Sequence, residues 1–82
     1  MIPIQDLLHR IRWDPAFGRG HFEVGYWDRI ERRELRVPLD RDALPGGEHF
    51  FFTAVTPDGD VLTIPLHRIR SVYRDGVRIW QR

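Results

Sequence analysis

Asp75-Gly76 constrains the fold of this 82-residue chain more than any other stretch. The pair is flanked by Ser71 to Arg74 and Val77 to Gln81, and Asp-Gly suits the positive φ angles of a two-residue hairpin turn. A hairpin there pairs Arg74 with Val77, Tyr73 with Arg78 and Val72 with Ile79. Val72, Val77 and Ile79 then share a face expected to meet the core. Tyr73, Arg78, Trp80 and Arg82 share the other, where rings alternate with guanidinium groups in a pattern that unstacked bases and phosphates can bind. Burial of Trp80 under the helix or a neighbouring strand is the competing expectation, because a small domain needs its tryptophans in the core.

The rest of the chain supplies elements for that hairpin to join. Pro3 suits the first turn of a helix, and Ile4, Leu7, Leu8 and Ile11 recur at helical spacing. The helix should stop near Trp13-Asp14-Pro15, since a residue before proline is pushed out of the helical region, and Trp13 is expected to pack it onto a sheet. From His21 to Arg29, Phe22, Val24 and Tyr26 fall on one face of a strand, and His21, Glu23, Gly25 and Trp27 on the other. Gly25 marks a bulge or a close approach. A polar turn at Glu31 to Glu34 leads to a returning strand with Leu35, Val37 and Leu39 inward, and Pro38 marks either the end of that strand or a sheet edge. Arg41 to Glu48 reads as a loop. His49 to Val55 has apolar residues on both faces and predicts a central strand covered on each side. Thr56 to Asp60 supplies a turn, and Val61 to Ile64 the partner strand. The expected fold is a single α+β domain over residues 1–82: one N-terminal helix packed on a curved antiparallel sheet of five to six strands, with partial closure into a barrel as one form that curvature can take.

Composition removes several classes of function. No apolar run approaches the roughly 20 residues needed to cross a bilayer, and the N-terminus lacks a signal-peptide pattern, so the expectation is a cytoplasmic protein with no membrane partner. Without cysteine there is no disulfide framework, zinc knuckle or thiol chemistry. The four histidines are dispersed at 9, 21, 49 and 67, so neither a metal nor another cofactor is expected. Ser71, the only serine, has no nucleophile elbow around it. Net charge is +1, and all 13 basic residues are arginine. The charge is unevenly placed: residues 40–65 carry a net −4 and residues 66–82 a net +4. That local field favours an anionic ligand, whereas the near-zero total argues against broad duplex binding.

The basic segment begins at Ile64-Pro65-Leu66-His67-Arg68-Ile69-Arg70. Proline removes a backbone donor and ends regular pairing, so His67 and Arg68 are expected on a bend anchored by Leu66 and Ile69 turned inward. Such a bend can hold a phosphate, or its charges can simply decorate a strand connection.

Three segments in this order resemble the RNA cyclic group end recognition domain family: Leu8-His-Arg-Ile-Arg-Trp-Asp-Pro15, Val24-Gly-Tyr-Trp-Asp-Arg29, and Ile64 to Arg70 followed by Asp75-Gly76 and Ile79-Trp-Gln-Arg82. The resemblance covers essentially the whole chain. It implies an RNA-binding module that recognises 3′ ends carrying a 2′,3′-cyclic phosphate in RNA processing or repair, with an RNA-processing phosphoesterase or ligase as a further partner. Carried onto this sequence, it picks out Arg10, Trp13 and Asp14, then Tyr26, Asp28 and Arg29, then His67 and Arg68. In that reading Arg68 and Arg29 bind the phosphate oxygens, His67 donates to the cyclic phosphate or a sugar oxygen, and Asp28 orients one of the cations. Arg70 and Arg78 add positive charge, and a terminal base stacks on Tyr26 or Trp80. Two alternatives stand beside it: a cyclic phosphodiesterase or ribonuclease using His67 with His49 or His21, and a structural interaction adaptor using an edge strand or exposed aromatics.

Overall fold

The computed structural model describes residues 2–40 and 51–82. An α-helix, α1, spans Ile4–Trp13 and directly follows Pro3, whose φ of −62° leads into the first turn. Ile4, Leu7, Leu8 and Ile11 form its buried stripe, and burying each of them contributes about 1.5–3 kcal/mol. The helix ends where Asp14 leaves the helical region ahead of Pro15. Trp13 does not pack the helix onto the sheet: it is 52% exposed, with the Arg12 guanidinium 4.7 Å from its centre and His9 edge-on to it. The apolar stripe is already complete at Ile11, two positions and so about 200° around the helix from Trp13.

Among the described residues six strands follow: β1 Phe22–Asp28, β2 Arg33–Leu39, β3 Phe51–Val55, β4 Val61–Pro65, β5 Ile69–Arg74 and β6 Val77–Gln81. They form a four-stranded antiparallel sheet in the order β2-β1-β5-β6 and a separate β3-β4 pair. The strand count and the α+β class match the expectation, and the sheets are not closed into a barrel. β2 is an edge strand, one of the two readings Pro38 allowed. Phe22, Val24, Val37, Leu39, Val72 and Trp80 meet the α1 stripe in one core, joined by Phe52, Ala54 and Ile64 from the smaller sheet. The central-strand expectation for residues 49–55 fails over the described part. Phe52 and Ala54 are buried while Phe51, Thr53 and Val55 are exposed, so β3 has one covered face. His49 and Phe50, like the loop 41–48, lie outside the described residues.

The closing hairpin turns where expected, with φ of 51° at Asp75 and 84° at Gly76. Arg74 pairs with Val77 and Tyr73 with Arg78, but Val72 pairs with Trp80 rather than Ile79, because the register shifts between Val72 and Tyr73. One extra residue, Ile79, reverses the side-chain alternation beyond it. The expected faces are corrected accordingly. Trp80 points into the core at 8% exposure, while Val77 and Ile79 are 65% and 39% exposed. Trp80 Nε1 donates to the Ile2 carbonyl at 2.8 Å, which gives the buried indole its polar partner.

Candidate functional site

Pro65 ends β4, and a single 3-10 turn at Leu66–Arg68 leads into β5. Leu66 and Ile69 are buried on either side of it, which leaves His67 exposed and Arg68 half-exposed on the bend. The end of the chain secures that bend. Arg82 donates from Nε to the Ile69 carbonyl at 3.0 Å and from Nη2 to the Leu66 carbonyl at 3.3 Å, and its backbone N–H donates to the Arg70 carbonyl at 2.8 Å. Arg82 therefore adds a second donor to the Leu66 carbonyl, which already accepts the Ile69 N–H, and ties both ends of the turn to the last strand. Sequence reading placed it only on a hairpin face, and nothing in residue spacing reports a clamp between positions this far apart.

The two sides of the bend face different concavities. Arg68 joins Tyr26, Asp28, Thr63 and Pro65 in a cleft of about 170 Å³ between β1 and β4. His67 instead lines a larger hollow with Gln5, Trp80 and Arg82 beside the start of α1. Among the expected site residues, the structure thus brings together Tyr26, Asp28 and Arg68. Arg29 is exposed on the turn after β1 and is not part of the cleft wall.

Asp28 is fixed by its own turn: its Oδ1 accepts the backbone N–H groups of Ile30 at 2.8 Å and Glu31 at 3.0 Å. Burial, followed by the negative charges of Asp28 and Glu31, pushes the Tyr26 phenol above its usual 10.0. Tyr26 therefore keeps its O–H as a donor at neutral pH. The cleft presents one guanidinium, one phenolic donor and one carboxylate.

The remaining expected residues lie elsewhere. Arg10 sits 3.7 Å from Asp14 and 4.1 Å from the centre of the Phe17 ring, while the Asp14 Oδ1 accepts the N–H groups of Ala16 and Phe17. These contacts close the turn after α1. Arg78 borders a hollow formed with Ile2, Leu7 and Ile79. Trp80 is only 8% exposed, with the Arg82 guanidinium 5.5 Å from its ring centre, so little of the ring is open to a base. Arg70 occupies a β-bulge and lies 5.5 Å over the ring of Trp27, an exposed aromatic that sequence reading passed over although it stands on the polar face of β1. His21 lines a fourth concavity with Pro38, Asp40 and Thr53, apart from the hollow that His67 lines; His49 is outside the described residues. Among the described residues, no three of His, Asp and Glu converge, and no helix is long and apolar enough to cross a membrane.

The model of the MJ1316 RNA cyclic group end recognition domain matches residues 1–82. The chain belongs to that family. Comparison with curated proteins and with solved structures gave no match. As a member of the MJ1316 RNA cyclic group end recognition domain family, the chain carries two of its three resembling segments to one place: Tyr26 and Asp28 come from the second and Arg68 from the third. The first segment, Arg10 to Asp14, forms the helix end and its turn instead.

Proposed function

We propose that the chain binds RNA 3′ ends carrying a 2′,3′-cyclic phosphate, in the cleft formed by Tyr26, Asp28 and Arg68. The observation that carries this reading is that one arginine, one tyrosine and one carboxylate line the same small cleft. Its volume of about 170 Å³ is well below the roughly 300–1,000 Å³ of pockets that enclose whole small molecules. It suits a phosphate and part of a ribose, with the base left outside. Arg68 supplies the charge-assisted contact to the phosphate, and Tyr26 donates to a phosphate or sugar oxygen.

Asp28 supplies the discrimination. A cyclic phosphate is a diester with one negative charge, whereas a terminal monoester carries about 1.5 to 2 charges at neutral pH. A carboxylate beside the phosphate repels the second charge more than the first, so the cleft tolerates the cyclic end and disfavours the 3′-phosphate. Arg29, exposed on the turn that Asp28 closes, adds positive charge near the strand's path.

The reading is tested by titrating a short RNA ending in a cyclic phosphate against Arg68→Ala and His67→Ala. Arg68→Ala weakens binding at least about tenfold, the loss of one charged hydrogen bond, and His67→Ala has a smaller effect. The reverse order would move the site to the hollow beside α1. Analysis of the RNA after incubation should return the cyclic end unchanged; its conversion to a monoester would favour a phosphodiesterase.

A further inference from the structure

β1 extends beyond its partner β5. Pairing between them ends at Tyr26 and Ile69, and the chain before Ile69 turns away into the 3-10 bend, so Trp27 and Asp28 have no β5 residue opposite them. The sheet therefore has a notch at this end, with Arg68 on one side and Arg70 on the other. Arg70 is the extra residue of the bulge that opposes the step from Gly25 to Tyr26, and bulges of this kind re-aim a side chain. Here the guanidinium is directed over Trp27, 5.5 Å from the ring centre. Trp27 is 38% exposed and lies on the face opposite Tyr26 and Asp28, one strand residue or about 3.3 Å along from each.

We infer that Trp27 and Arg70 form a stacking subsite for the unpaired base next to the RNA terminus, reached through this notch. The inference rests on the cleft reading above and adds a second nucleotide to it. The terminal phosphate occupies the Arg68 side, the backbone passes the end of β5, and the preceding base lies on the indole. The Arg70 guanidinium holds the ring in the free protein and pairs with the arriving phosphate in the complex. A base needs only a π-face to stack, so the subsite selects single-stranded ends without selecting a sequence. An RNA end held in a duplex cannot offer that base.

The test uses three ligands on the full chain: uridine 2′,3′-cyclic phosphate, a dinucleotide ending in the same group, and that dinucleotide without its 5′ base. The dinucleotide binds at least about fivefold more tightly than the mononucleotide, the lower end of what one stacked base contributes. Removing the 5′ base, or making Trp27→Ala, brings the ratio of dinucleotide to mononucleotide affinity close to one, and Trp27→Phe restores part of it. A ratio that survives Trp27→Ala, or an abasic ligand that binds as well as the intact one, overturns the subsite. Failure of the mononucleotide itself to bind overturns the cleft reading instead, because that ligand does not reach Trp27.

Discussion

The Arg36 guanidinium lies 3.6 Å from the centre of the Tyr73 ring. The pair sits on the face of the four-stranded sheet turned away from the core. Tyr73 is 7% exposed without joining the core cluster, because the ring is covered by a long cationic side chain whose charge reaches solvent. Contact with the Ser71 hydroxyl first and then with Arg36 holds the Tyr73 phenol below its usual 10.0, the opposite of the shift at Tyr26.

These are the two tyrosines of the chain, so their ionisation can be resolved directly. Phenolate absorbance during an alkaline titration should rise over a broadened range, with an early step from Tyr73 and a later, overlapping step from Tyr26. Tyr73→Phe removes the early step and Tyr26→Phe the late one. A single step at the free-phenol value would show that neither environment exists in solution.

Gly25 is required by what crosses it. A Cβ at that position would run into the Ser71 Oγ and come within 2.9 Å of the Glu34 carboxyl carbon, the two groups joined by the Ser71-to-Glu34 hydrogen bond of 3.2 Å. Gly25→Ala should therefore destabilise the fold by about 1–3 kcal/mol, measured by urea unfolding. In a Ser71→Ala background the same change should cost less, since one of the colliding groups is gone. Equal costs in both backgrounds would remove the steric explanation.

Asp14 ties acid stability to the turn after α1. The Phe17 N–H foremost, then the Ala16 N–H and Arg10, hold its carboxyl below the ordinary 3.8, against a smaller opposing effect of burial. A carboxyl with a lowered folded pKa contributes stability that is complete above its unfolded value and is lost as pH falls through the folded one. The urea midpoint should fall as pH drops below about 4, and Asp14→Asn should make that fall shallower. An unchanged slope would show that the turn does not depend on the charge.

Local chemistry made much of this fold legible, and one-residue irregularities account for most of what was not. Pro15 marked the helix end, Asp75-Gly76 marked the turn, and Pro65 marked the bend, because each restricts its own backbone. The inserted Ile79 has no such mark. Alternation beyond it reads correctly in period and wrongly in phase, which exchanged Trp80 with Ile79 between core and surface; Val77 lies before it, keeps its expected partner Arg74 and is exposed beside the turn. Arg70 is the same case in the site: as a bulge residue it covers Trp27, a relationship visible only once β1 and β5 are paired. The separation of His67 from Arg68 follows from the tight winding of a 3-10 turn, which sends neighbouring side chains about 120° apart. Tyr26, Asp28 and Arg68 could be named in advance, but their meeting in one cleft depends on how β4 and β1 approach each other.

The most direct test of RNA-end recognition compares one short RNA bearing a 2′,3′-cyclic phosphate, a 3′-phosphate or a 3′-hydroxyl, each titrated against the native chain and against Asp28→Asn. The native chain should bind the cyclic end most tightly, and Asp28→Asn should narrow the gap between the cyclic end and the 3′-phosphate by improving the latter. Equal affinity of the native chain for all three ends would contradict the account.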